Sequence, residues 1–176
     1  MKFFLFFLAF TAVAQDIQPT GEKLAPYYPT PETIVDKMLE AGQLKAGEKM
    51  YDLGSGDGRI VIMAAQKYHA DATGIELDND LYISSEAKIH KLGLQKTARI
   101  IHADILKQNY SSANLITVYL LPDSNIKLQP ILEAQLKPGT RVVAHDFGIG
   151  DWTPMKTITI ADDGEGRSHT LFLYIR

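Results

Sequence analysis

A strand, a glycine bend and a helix in direct succession constrain this chain more than any other feature. Lys49-Met50-Tyr51-Asp52-Leu53 has the apolar character of a short buried strand, and Gly54-Ser55-Gly56-Asp57-Gly58 is a tight turn. Arg59 to Tyr68 then places Ile60, Val61, Ala64 and Ala65 at helical spacing. The glycines let the backbone bend sharply and let a ligand approach the main chain. A strand that turns straight into a helix opens a parallel α/β sheet, and such sheets bind ligands beyond the carboxyl ends of their strands.

The alternation continues along the chain. Residues 71–76, 98–104, 115–120 and 140–145 read as further strands, and 78–92 as a helix closed by Gly93. A helix over about 128–136, starting near Pro130, precedes the Pro138-Gly139 turn. Upstream, Thr30-Pro31-Glu32 opens a helix, with Thr30 as N-cap, Pro31 first, and Ile34, Val35, Met38 and Leu39 as its apolar stripe. The last two strands, 155–160 and 170–175, flank Asp162-Asp163-Gly164 and form a hairpin-like pair. The expected fold is therefore α/β and Rossmann-like. Its sheet is mostly parallel with an antiparallel C-terminal pair, and helices cover both faces.

At 176 residues the chain fits one domain. Its net charge of −3 disfavours a protein that mainly grips nucleic-acid phosphates, so no specific nucleic-acid partner is expected. There are no cysteines, which excludes disulfides, thiolate metal sites and a cysteine nucleophile. No metal-ligand cluster is read from residue spacing, and no Gly-Lys-Ser/Thr phosphate loop is present. Met1-Lys2, the apolar run Phe3–Phe10 and Ala12-Val13-Ala14 have the form of a secretory signal peptide with cleavage after Ala14. Residues 15–25 read as a flexible lead-in, and 26–176 as the folded domain. The expected location is secreted or periplasmic, or membrane-associated if the N-terminus is retained.

The site is read from acids at successive strand ends. The turn has Gly-x-Gly-x-Gly spacing, not the Gly-x-Gly-x-x-Gly that places a pyrophosphate on a helix N-terminus. Asp52 before the turn and Asp57 within it would repel a pyrophosphate. They suit a ligand with a cationic amino-acid end, such as S-adenosyl-L-methionine. Glu76 ends the second strand, 22 residues after Gly54, where a carboxylate accepts hydrogen bonds from both ribose hydroxyls. Asp104 ends the third strand, either taking the adenine amino group beside Ala103 and Ile105 or capping a helix. Asp78 reads as an N-cap, and His102 as a structural histidine. Tyr119, after the fourth strand, either faces the reacting group through its ring and hydroxyl or is a core tyrosine. Asp146 follows the fifth strand as a candidate partner or base. In a continuing strand, its neighbour His145 would point to the opposite face.

At these residues the sequence resembles class I methyltransferases, most closely the FAM173-type protein-lysine methyltransferases and their bacterial and archaeal relatives. The likeness runs through Pro26-Tyr27-Tyr28-Pro29-Thr30-Pro31-Glu32, Tyr51 to Val61, Gly74-Ile75-Glu76-Leu77-Asp78, Tyr119-Leu120-Leu121-Pro122 and Pro138 to Phe147, then Trp152. The glycine loop alone would identify only the class; the two tyrosine-proline segments make it specific. The resemblance implies a seven-stranded sheet, S-adenosyl-L-methionine as cofactor and, in eukaryotic members, lysine methylation of mitochondrial carrier or ATP-synthase proteins. Carried over, Asp52, Gly54, Ser55, Gly56, Asp57, Glu76, Leu77, Asp104 and Ile105 bind the cofactor. Tyr28 and Thr30 lie on the acceptor side, and Tyr119 and Asp146 are the catalytic candidates. The secretory-type N-terminus departs from the family, because the methyl donor is made in the cytoplasm. No Asn/Asp-Pro-Pro-Tyr segment, the hallmark of enzymes acting on base or amide nitrogen, is present.

These observations predict in-line methyl transfer to a protein lysine. Two other readings remain: a small-molecule methyltransferase with the same cofactor site, and an exported domain that keeps the fold without the activity. A nicotinamide dehydrogenase is disfavoured by the loop spacing.

Overall fold

The fifth strand, β5 (Arg141–His145), lies between a parallel neighbour and an antiparallel one, and this sets the architecture. The computed structural model describes residues 19–176, so the signal-type segment and residues 15–18 lie outside the described residues. In chain order, α1 (Glu32–Ala41) precedes β1 (Lys49–Leu53), α2 (Arg59–Tyr68), β2 (Asp71–Glu76), α3 (Asn79–Lys91) and β3 (Ala98–His102). β4 (Leu115–Val118), α4 (Pro122–Gln135), β5, β6 (Lys156–Ile160) and β7 (His169–Ile175) follow. The seven strands are ordered β3-β2-β1-β4-β5-β7-β6, and β7 runs opposite to the other six. The strand order reverses between β1 and β4, the place where open α/β sheets leave a crevice at their carboxyl edge.

Alternation along the strands sends side chains to two cores. Leu115 and Val143 join Ile34, Met38, Leu39, Val61, Ala64 and Ile89 of α1, α2 and α3 on one face. Ile116, Val142 and Ala144 join Leu128 and Leu132 of α4 and the buried Tyr110 on the other. Helices thus cover both faces, as expected. Fully burying one such side chain contributes roughly 1.5–3 kcal/mol, so the two layers hold the strand ends in fixed relative positions.

Four expected features differ. α4 begins at Pro122, not near Pro130. Proline suits the first turn, where its missing N–H has no partner to lose. Pro130 sits inside the helix, where its missing N–H removes the bond to the Ile126 carbonyl one turn back, at an exposed residue. Thr30 does not cap α1. Pro31 holds the cap position, its carbonyl accepting from the Ile34 and Val35 N–H groups, while the Thr30 side chain is buried toward His145. The third and fourth strands also end early, at His102 and Val118, because Asp104 caps a short 3-10 turn (Ile105–Lys107) and Leu121 begins the approach to α4.

Candidate functional site

The carboxyl ends of β1, β2, β3 and β4 open onto a cleft of about 310 Å³. Asp52, Glu76, Asp104 and Tyr119 all line it, with Gly54, Ser55, Gly56, Asp57, Leu77 and Ile105. The strand-tip acids read from the sequence therefore converge on one space. Tyr28 and Thr30 reach the same cleft from the segment before α1.

The glycine bend is held by β2. The Gly54 and Ser55 N–H groups both donate to the Ile75 carbonyl, and the Gly56 N–H donates to Glu76 Oε2 at 2.7 Å. Gly56 has φ +54°, and a Cβ there would stand 2.8 Å from the Tyr27 ring, so no side chain fits. Glu76 Oε1 accepts from the Leu77 and Asp78 N–H groups at 2.9 and 2.8 Å. A carboxylate offers about four lone-pair sites, and three are used here. A ribose diol would take the fourth or displace the Gly56 N–H.

Asp52 is buried, and its Oδ1 accepts from the Thr117 hydroxyl at 2.7 Å. Burial raises its pKa to about 7 against the Thr117 bond, with the negative charges of Glu76 and Asp57 adding to the rise. A buried carboxylate that resists ionisation has room for a cationic ligand group, which would restore its charge. Asp57 is different. Burial would raise its pKa, but hydrogen bonds and charge from Arg59 and Lys88 overcome this and hold it at about 2. Arg59 Nε lies 2.9 Å from Asp57 Oδ1 and Lys88 Nζ 3.1 Å from Oδ2. Of the two loop carboxylates, Asp52 alone is left without a cation among the described residues. The Ser55 hydroxyl packs against Gly74 and has no hydrogen-bond partner among the described residues, and a Cβ at Gly74 would stand 2.5 Å from it.

Asp104 takes the cap role, Oδ1 accepting from the Leu106 N–H at 2.9 Å, and the residue also lines the cleft. His102 bonds the Leu77 carbonyl through Nε2 and stacks on Tyr82, a structural role as read. Residues 19–25 run along the Asp104 side of this space. Lys107 donates to the Thr20 carbonyl, Ser124 Oγ donates to the Leu24 carbonyl, Lys23 pairs with Asp78 and Lys127 with Glu22. Gly21 lies so close to Asp104 that a Cβ would fall 2.9 Å from Oδ2. No local sequence pattern marked this strap, because most of its partners lie far along the chain.

At the other end, a second recess of about 260 Å³ shares Ala25, Pro26, Tyr28, Tyr119 and Leu120 with the cleft and adds Leu121 and Phe147. Its walls are mostly apolar, with the Tyr28 and Tyr119 side chains among them. Burial and the neighbouring Asp146 carboxylate raise the Tyr119 pKa, so its phenol stays protonated. The Tyr119 ring lies 4.0 Å from that of His145. The expected divergence of His145 and Asp146 does not occur. Asp146 adopts φ +57°, which ends the strand and turns its carboxylate back to 3.4 Å from His145 Nε2. His169, at the start of β7, joins them, a residue that strand patterning did not single out. Burial lowers the His145 pKa, keeping that ring neutral.

The cleft fits S-adenosyl-L-methionine on its own chemistry: an uncompensated acid beside the bend for the amino-acid end, Glu76 in the middle and Asp104 with Ile105 beyond it. A family model described as the ANTKMT methyltransferase domain matches residues 52–156. A protein-lysine N-methyltransferase from Saccharolobus islandicus (strain REY15A) is 40% identical over 151 residues, spanning 85% of this chain and 92% of that protein. A human lysine N-methyltransferase named for ATP synthase is 30% identical over 129 residues, which span 73% of this chain and about half, 54%, of the human one. A crystal structure of an RNA methyltransferase from Salinibacter ruber in complex with S-adenosyl-L-homocysteine is 40% identical. It aligns with a TM-score of 0.78 over 84% of this chain and 93% of its own.

Proposed function

This chain belongs to the ANTKMT methyltransferase family and uses S-adenosyl-L-methionine, and from that premise we propose that it N-methylates a lysine side chain in a protein acceptor. The observation that carries the acceptor class is the apolar recess of Tyr28, Tyr119, Leu120, Leu121 and Phe147, continuous with the cofactor cleft. A lysine stem is four methylenes ending in an amine, and such walls receive the stem while stripping water from the amine.

The cofactor supplies a methyl group on a sulfonium, which leaves without needing a proton. The obstacle lies on the acceptor, since with a free pKa of ~10.4 only about one lysine in a few thousand is neutral at pH 7. Desolvation between Tyr28, Tyr119 and Phe147 lowers that pKa and raises the neutral fraction. Tyr119 orients the amine with its ring face and hydroxyl, and Asp146 is a positioning residue that holds the phenol. Alignment of amine and methyl then provides most of the acceleration. On the cofactor side, Glu76 meets the ribose, Asp52 the ammonium group, and Asp104, Leu77 and Ile105 border the adenine. Asp57, Ser55, Gly54 and Gly56 shape the bend. Tyr28 and Thr30 stand between the two spaces.

The rim of the recess exposes Tyr28, Leu121 and Phe147, so the acceptor is a protein with an apolar face around its target lysine. The human relative's name gives ATP synthase as its target. The test is transfer of labelled methyl from S-adenosyl-L-methionine into native cell extract, followed by acid hydrolysis and identification of the product. Methyl-lysine that disappears with Glu76→Ala is expected; label confined to RNA or to small molecules would sink the acceptor assignment. The leader at Met1–Ala14 is proposed to direct export, and a native protein that begins at Met1 in the cytosolic fraction would refute it.

A further inference from the structure

Three ligand atoms behind Tyr119 form a small triangle. His145 Nε2 lies 2.9 Å from His169 Nδ1, His169 Nδ1 3.2 Å from Asp146 Oδ2, and Asp146 Oδ2 3.4 Å from His145 Nε2. We propose that this triangle is a binding site for a divalent cation of the zinc class, with His145, Asp146 and His169 as its three protein ligands.

The geometry is the first support. A tetrahedral ion bonded at about 2.0–2.1 Å to imidazole nitrogen and carboxylate oxygen needs ligand atoms about 3.3 Å apart. The three sides bracket that length. The second support is the way the outer atoms are held. His169 Nε2 lies 3.1 Å from the buried Asp163 Oδ2, His145 Nδ1 lies 3.4 Å from Thr30 Oγ1, and Asp146 Oδ1 accepts from the Thr170 N–H at 2.9 Å. A carboxylate or hydroxyl behind each histidine is what orients a metal-bound imidazole and aims its lone pair inward. Asp163 is in turn held by the Glu165 and Arg167 N–H groups.

The backbone is the third support: Asp146 is a non-glycine residue at φ +57°, and strain of that kind persists where the surroundings impose it. His145 and His169 are buried, while Asp146 keeps one edge open beside Tyr119. Three protein ligands and an open side are the pattern of ion sites that exchange a fourth ligand. Two imidazoles with one carboxylate suit zinc and its neighbours better than magnesium or calcium.

The test uses tag-free full-length protein stripped with a chelator and titrated calorimetrically with Zn²⁺, with Co²⁺ as a visible-absorption probe. One equivalent per chain is expected, with the d–d spectrum of four-coordinate nitrogen–oxygen ligation. His169→Ala and Asp146→Asn should each weaken Zn²⁺ binding at least ~100-fold, while His90→Ala, on the exposed face of α3, should leave it unchanged. His145 is fully buried and its variants risk misfolding, so the partly open Asp146→Asn carries the decision. No stoichiometric binding overturns the inference, as does binding that survives both His169→Ala and Asp146→Asn. A doubly protonated His169 at neutral pH, seen by nitrogen NMR of Zn²⁺-treated protein, would assign the triangle to a proton and overturn it too. S-adenosyl-L-methionine affinity measured on the same samples keeps this outcome separate from the methyltransferase reading.

Discussion

The two ends of the cleft are built differently. At the cofactor end each acid sits at the tip of its own strand, and neighbouring backbone supplies part of its hold: Glu76 accepts from Leu77 and Asp78 and Asp104 from Leu106, while Gly56 and Thr117 are reached across 20 and 65 residues. At the acceptor end Thr30 meets His145 across 115 residues, His145 meets His169 across 24, and Arg167 stacks on Tyr28 across 139. A binding face that every substrate of the class shares can be written into one loop and three strand ends. The recess proposed for the acceptor is assembled from the N-terminal segment, the turn from β4 into α4 and the residue just beyond β5's end, with no part in the glycine loop.

The largest effect should come from breaking the local end at its centre. Glu76→Ala leaves three backbone N–H groups without their acceptor and removes the ribose contact, each charge-assisted bond counting for roughly 1.5–3 kcal/mol. Affinity for S-adenosyl-L-methionine should fall by about 100-fold or more, since each ~1.4 kcal/mol is tenfold. Calorimetry checks this, and an affinity within a few-fold of the parent would show that the loop is held some other way. The acceptor end should answer differently. Tyr119→Phe removes a hydroxyl and keeps the ring, so kcat should drop by about tenfold, one ~1.4 kcal/mol contact, with cofactor Kd unchanged. Equal losses in both would mean that the two ends are not separable.

Asp52 sharpens the comparison because its effect has a sign that depends on pH. Burial raises its pKa to about 7 in the free protein. Ionised Asp52 is needed to meet an ammonium group, so below pH 7 binding must expel a proton. Affinity should therefore rise with pH, by up to tenfold per unit below 7, and level off above it. Asp52→Asn should weaken binding by about tenfold at pH 8, as loss of a buried charge pair does, and remove the pH dependence. The same change should raise the melting temperature of the cofactor-free protein at pH 8. The folded pKa is raised, so stability is lost as pH climbs from the unfolded value to about 7, and the full cost is present above it. Affinity that is flat from pH 5.5 to 8 would remove Asp52 from the site.

The difference between the ends also explains what could be read in advance. β1, the bend and α2 are dictated by a five-residue apolar run, closely spaced glycines and a clean helical stripe, and their bounds emerge as read. The strand-tip acids followed because the end of an apolar run is visible without knowing its neighbours. Thr30 was misplaced because the local rule for a threonine before proline is helix capping, whereas its side chain answers to a histidine on β5. The meeting of His145 with Asp146 was missed because strand alternation holds only while the strand continues, and Asp146 leaves it at positive φ. The convergence of His169 depends on β7 inserting between β5 and β6, a topological fact that no short window contains.

The smallest effect tests whether charge at the bend is local or shared. Asp57 and Asp52 looked equivalent as two acids near one turn, yet Arg59 and Lys88 neutralise only Asp57. Its depressed pKa means that its contribution to stability is complete above about pH 4 and is lost as pH falls toward 2. Lys88→Ala removes the more exposed of the two cations. It should cost about 0.5–1 kcal/mol at neutral pH, the scale of a partly exposed pair, and less in high salt. Cofactor affinity should stay within about twofold, because Arg59 still holds the carboxylate through two of its nitrogens. Binding that tightens tenfold in Lys88→Ala would show that the ligand's cationic end feels Asp57 directly, and the cradle would then have two working carboxylates instead of one.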